Sequence, residues 1–169
     1  MVKKSVVYIN LFLLAALLGA CGYRGQVTLP DNLKRIHLTV NNTGVFRPGV
    51  ETDVRQALTQ RILNAGGQVV TEKSRADVTM KATLTAIENN AVAFTSADIA
   101  SRFRMVVVLD LEVIQRNGKE QLAKEQVRGE AYYSAPKGIR GTEVAENNAI
   151  RRAIRDLADE VMARVVEPF

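Results

Sequence analysis

Apolar and polar residues alternate most strictly over 78–86. There Val78, Met80, Ala82, Leu84 and Ala86 are separated by Thr79, Lys81, Thr83 and Thr85. Side chains on a strand point alternately to its two faces, so this segment predicts a strand with one apolar face and one hydroxyl-rich face. The same period appears in Ile36, Leu38 and Val40 set against Arg35, His37 and Thr39, and Asn41-Asn42-Thr43-Gly44 ends that strand. A longer strand is predicted over 102–115. One of its faces carries Phe103, Met105, Val107, Leu109, Leu111 and Val113. The other carries Arg102, Arg104, Val106, Val108, Asp110, Glu112 and Ile114, and is therefore not fully polar. Asn117-Gly118 is a strong hairpin turn signal, and a return strand is expected over 121–133. Residues 88–100, with Asn89-Asn90 as a turn signal, read as an extended hairpin or loop.

Two stretches have helical spacing instead. Over 50–65, Val50, Val54, Leu58, Ile62 and Ala65 recur at three- and four-residue steps, with Glu51 and Asp53 near the positive end of the helix dipole. Gly66-Gly67 supplies the left-handed stop, and a short strand over 69–71 is expected to follow. Beyond Pro136, Gly138 and Gly141, Thr142 is placed to cap a second helix. Its stripe is Ile150, Ala153, Ile154, Leu157, Val161 and Val165, and Pro168 closes it. The order is β-α-β-β-β-β-α, or one strand fewer. The fold class expected is α+β: a two-layer sandwich, with two helices packed on one face of a mainly antiparallel four- or five-stranded sheet.

The start of the chain follows a different pattern. Lys3 and Lys4 precede an apolar run over 6–18, interrupted at Asn10, and the run ends in Leu18-Gly19-Ala20-Cys21. A membrane-spanning helix needs about 20 apolar residues, so the run reads as a secretory leader over 1–20. Its last four residues resemble a bacterial lipobox, which implies cleavage before Cys21 and acylation of that cysteine. Cys21 is the only cysteine; lipidation spares an exported protein an unpaired thiol. Gly22 is not the aspartate associated with inner-membrane retention, so the resemblance points to the outer membrane, lipid-anchored on its periplasmic side. The chain then divides into a lipidated N-terminus and tether over 21–33 and one domain over 34–169. Removing the leader lowers the formal net charge from +5 to +3. That mild excess, with no dense basic run interleaved with aromatics and no nucleotide-binding glycine fingerprint, does not suggest a nucleic-acid partner.

Catalytic chemistry finds little support. His37, the one histidine, alternates with core-facing residues and reads as a surface strand residue. One histidine and one lipidated cysteine do not make a zinc ligand set. Asp156, Asp159 and Glu160 lie among Arg151, Arg152, Arg155 and Arg164 and read as a salt-bridged solvent face. No enzyme activity, metal or cofactor is expected.

Several segments, in order and spacing, resemble the LptE family of lipopolysaccharide-assembly lipoproteins. They are Cys21-Gly22-Tyr23, Leu29-Pro30, Phe46-Arg47-Pro48-Gly49-Val50-Glu51 with Leu58, Ala76-Asp77-Val78, Phe103-Arg104, Gly118-Lys119, Tyr133, and Ala145-Glu146-Asn147-Asn148-Ala149. The resemblance implies helices packed on a sheet. It also implies a place inside the lumen of the LptD outer-membrane barrel, as plug and assembly partner, with lipopolysaccharide as a ligand. The sheet face opposite the helices offers candidate contacts: Lys81, Arg102, Arg104, Val106, Val108, Lys124 and Arg128. Cations beside an apolar strip suit phosphates and acyl chains, a polar barrel wall, or plain solvent. A competing role is activation of a periplasmic enzyme such as a peptidoglycan synthase. The short tether over 22–33, at most roughly 40 Å when extended, favours a partner at the membrane.

Overall fold

The computed structural model describes residues 28–97, 99–118, 120–135 and 139–166, so the leader and Cys21 lie outside the described residues. Seven principal elements follow in the order β1 (Arg35–Asn42), α1 (Val50–Asn64), β2 (Gln68–Val69), β3 (Val78–Phe94), β4 (Ala100–Gln115), β5 (Glu120–Ser134) and α2 (Ile139–Val166). The predicted α+β order is the observed one, with five strands. Strand order across the sheet is β2-β1-β3-β4-β5. The sheet is mixed: β1 runs parallel to both β2 and β3, while the long β3–β4 and β4–β5 ladders are antiparallel. The parallel pairs arise because α1 carries the chain back before β2 and β3 begin.

Both helices cover one face. Ile36, Leu38 and Val40 of β1, Val78 to Leu84 at alternate positions of β3, and Met105 to Val113 at alternate positions of β4 form one buried cluster. It includes Val54, Leu58 and Ile62 of α1 and Ala153, Leu157 and Val161 of α2. Gly66 ends α1 with φ 78°, and the Gly67 N–H donates to the Ile62 carbonyl at 2.9 Å, the stop that the sequence predicts. The second helix begins at Ile139, so Thr142 lies within it and is not its cap. Gly129 in β5 serves another purpose. A Cβ there would stand 2.3 Å from the Ala153 carbonyl oxygen and 2.3 Å from the Leu157 nitrogen, so the missing side chain lets α2 lie directly on the strand backbone.

The alternation expected over 78–86 fails in one place. A bulge between Leu84 and Ala86 shifts the register, which moves Ala86 off the core face and brings Ile87 onto it, packed against the core. Residues 88–100 are the far end of a long hairpin, with β3 running to Phe94 and β4 starting at Ala100.

At each lateral side of the sheet, helix side chains take up some of the open backbone groups. On one side β2 covers only the start of β1, and the Arg55 guanidinium from α1 donates to the next two open carbonyls, Leu38 at 3.3 Å and Val40 at 3.4 Å. On the other side Arg152 donates to the Tyr132 carbonyl at 3.0 Å. The Glu130 N–H in turn donates to the Asp156 carboxylate at 2.7 Å. Arg152 and Asp156, four residues apart on α2, thus stand in for a neighbouring strand.

Candidate contact face

The face turned away from the helices is built by alternate residues of three strands, and all seven candidate contact residues project from it. β3 contributes Lys81, β4 contributes Arg102, Arg104, Val106 and Val108, and β5 contributes Lys124 and Arg128. Cross-strand register decides their neighbours. Lys81 stands opposite Glu112 and its ammonium lies 3.1 Å from that carboxylate. Lys124 reaches Asp110 at 2.9 Å. The hydrogen bond to Asp110, reinforced by the charge attraction between them, holds the Lys124 ammonium above its ordinary pKa. Arg104 lies 3.7 Å from Glu130, and its Nε is buried without a hydrogen-bond partner. Arg128 donates to the Gln126 side-chain oxygen at 2.7 and 3.2 Å. Arg102 is stacked over the Tyr132 ring, 5.2 Å from its centroid.

The two valines are covered. Val106 is 3% exposed and Val108 2%, although neither faces the helices. By register Val106 sits between Glu88 and Glu130, and Val108 between Ala86 and Arg128. Long charged side chains lay their apolar stems over neighbouring surface while their heads stay in water. The strip is therefore not an open apolar surface but a floor under paired charges. Three of the five cations are paired with a carboxylate, Arg128 with an amide and Arg102 with an aromatic ring, so most of the positive charge is already matched and the face has many polar groups to offer a polar wall. The partner residues Asp110, Glu112, Glu130 and Tyr132 are the ones that sequence reasoning left out of the site. Their outward position was visible in the alternation, but which cation each meets depends on register.

His37 and Arg61 are engaged elsewhere. The His37 ring Nδ1 lies 3.2 Å from the Val70 carbonyl, in a structural place beside β2. A cavity of about 430 Å³ lies on the other side of the molecule, between the helices. Ala57 and Ile154 line it with Arg61, Arg151 and Arg155, and Arg61 is held by Asp159 at 2.6 Å. Among the described residues, no three His, Cys, Asp or Glu side chains are grouped to hold a metal ion, and no helix is long and apolar enough to cross a membrane.

Comparison with known proteins places this architecture. The family model described as "LptE: Lipopolysaccharide-assembly" matches residues 33–165. Among solved structures, an uncharacterized lipoprotein B from Nitrosomonas europaea superposes with TM-score 0.61 at 15% identity, covering 86% of this chain and 89% of that one. Rare lipoprotein B from Shewanella oneidensis gives TM-score 0.57 at 9% identity, covering 76% and 91%. A putative lipoprotein from Caulobacter crescentus gives 0.53 at 15% identity, covering 82% and 96%. At such identities the structures share the fold alone. No curated protein matches the chain.

Proposed function

Because the chain belongs to the LptE family of lipopolysaccharide-assembly lipoproteins, we propose that it is an outer-membrane lipoprotein, anchored through Cys21, that plugs and helps assemble an LptD-like β-barrel. The observation that carries the barrel contact is the sheet face opposite the helices. Three of its five cations are paired with carboxylates, the other two lie against an amide and an aromatic ring, and its valines are covered. Such a face is a poor match for an isolated anion, since an anion that reaches Lys81, Arg104 or Lys124 has to break an existing ion pair. It is a good match for a wall that presents donors and acceptors of both signs, where each pair keeps or exchanges a partner at little cost. Lipopolysaccharide, the family's cargo, is proposed as a transient ligand. Catalysis forms no part of the proposal.

Affinity capture of the tagged, lipidated protein from outer membranes in mild detergent tests this reading. The expected result is a large β-barrel protein in stoichiometric amount. Recovery of a periplasmic synthase in its place, or of no stoichiometric partner, refutes the barrel role.

A further inference from the structure

The loop between β1 and α1 holds one aromatic ring in water on a rigid mount. Phe46 is fully exposed, at 105% of its reference area, yet the residues on both sides of it are fixed. Asn42 grips Val45 by both backbone groups. Its Nδ2 donates to the Val45 carbonyl at 2.7 Å, and its Oδ1 accepts from the Val45 N–H at 2.9 Å. The same amide nitrogen donates to Glu51 at 2.9 Å, which ties the loop to α1. On the other side Arg47 donates to the Asn147 side chain and lies 3.6 Å from Glu146, both on α2. Pro48 follows, with its backbone φ fixed by the ring. Gly44 presses against β3, where a Cβ would stand 2.3 Å from the Thr85 carbonyl oxygen.

An exposed phenylalanine on a wandering loop needs no explanation. One on a braced loop has already given up the conformational freedom that binding would otherwise remove, which is how interface anchors gain affinity. Directly beside the ring is a cleft of about 250 Å³, lined by Val45, Ile87, Asn89, Met105 and Glu146. A knob next to a socket fits a protein surface carrying the reverse arrangement. A lipid surface is a worse fit, since interfacial insertion uses several apolar tips with free cations beside them, and here the neighbouring Arg47 is engaged by Glu146.

The described N-terminal segment enters at the opposite end of α1, where the Leu29 N–H donates to the Ala65 carbonyl at 3.0 Å. On the lipid anchor proposed above, the residues from Cys21 to Thr28, at most ~25 Å when extended, are tied to the membrane at their first position.

We propose that Phe46 is an anchor that inserts into an apolar pocket on the β-barrel partner, with a partner side chain entering the adjoining cleft. The proposal rests on the barrel reading above. Its test uses the full-length lipidated protein, captured from outer membranes as wild type, as Phe46→Ala and as Leu63→Ala. Leu63 is an exposed apolar residue near the other end of α1, 50% exposed, and controls for loss of apolar surface in general. Phe46→Ala is expected to keep the wild-type melting temperature and to recover at least tenfold less barrel, the loss typical of an anchor residue; Leu63→Ala is expected to match wild type. Equal recovery by Phe46→Ala overturns the anchor and leaves the barrel reading standing. If the wild type recovers no barrel, both fall. A photoreactive benzoylphenylalanine at position 46 gives an independent answer in a protein that keeps an aromatic there. Crosslinking to the barrel supports the anchor, and crosslinking to lipid alone or to nothing overturns it.

Discussion

Asp77 shows how much one side chain can hold. It stands just before β3 and accepts the Arg35 N–H at 2.9 Å and the Arg35 guanidinium at 2.6 Å, with Arg116 at 3.9 Å. One carboxylate therefore joins the start of β1, the start of β3 and the residue following β4. The hydrogen bonds from Arg35 hold its pKa below the ordinary carboxylate value, against the burial that would raise it. A carboxyl whose folded pKa is depressed contributes stability that is complete above its unfolded pKa, near 3.9, and disappears as pH falls through the lower folded value. Asp77→Asn is therefore expected to lower stability at pH 7 and to cost progressively less as the pH drops below about 4 and through the lower folded value. Urea denaturation of both proteins across that range checks this; a constant difference would mean that the charge is not what matters. The sequence placed Asp77 only as the opening of a strand. Arg35 lies 42 residues away, and no local pattern links them.

At the scale of elements, the period of hydrophobic positions located nearly every strand and helix, because each element buries one face and the burial imposes the period. It went astray where backbone geometry, not burial, sets the phase. Ala86 continues the alternation of β3 in the sequence, yet the bulge after Leu84 inserts one residue and turns it outward. Ile87, apolar at what should have been a polar position, was the available sign. Gly129 was a second overlooked sign, since glycine inside a strand marks a close approach of another backbone. Here that approach is α2, and Gly129→Ala forces the helix to move. Overpacking of this kind costs about 1–3 kcal/mol, and more when the obstacle is backbone. We expect Gly129→Ala to be destabilised by at least that amount in thermal or urea unfolding. A wild-type melting temperature would show that α2 slides freely on β5.

For the whole molecule, the sequence supplied the two layers and the outward position of the candidate contacts, but not their state. Lys81 meets Glu112 across 31 residues, and Val106 and Val108 are covered by neighbours that only the ladder register brings beside them. A face whose cations are mostly engaged within the protein should respond weakly to loss of positive charge. Arg102→Glu with Arg104→Glu is expected to reduce lipopolysaccharide binding by purified protein less than tenfold. A complete loss would identify these arginines as a phosphate site in spite of their present partners. The guarded edges bear on a different matter. A barrel closes when its first and last strands find each other, and a guest sheet with open edges would compete for that seam. With Arg55 on one margin and Arg152 and Asp156 on the other, this sheet offers no free ladder where those side chains sit. On the barrel reading proposed above, such a sheet can be enclosed by a wall of strands and remain an inclusion, leaving the barrel to complete its own closure around a body that does not become one of its staves.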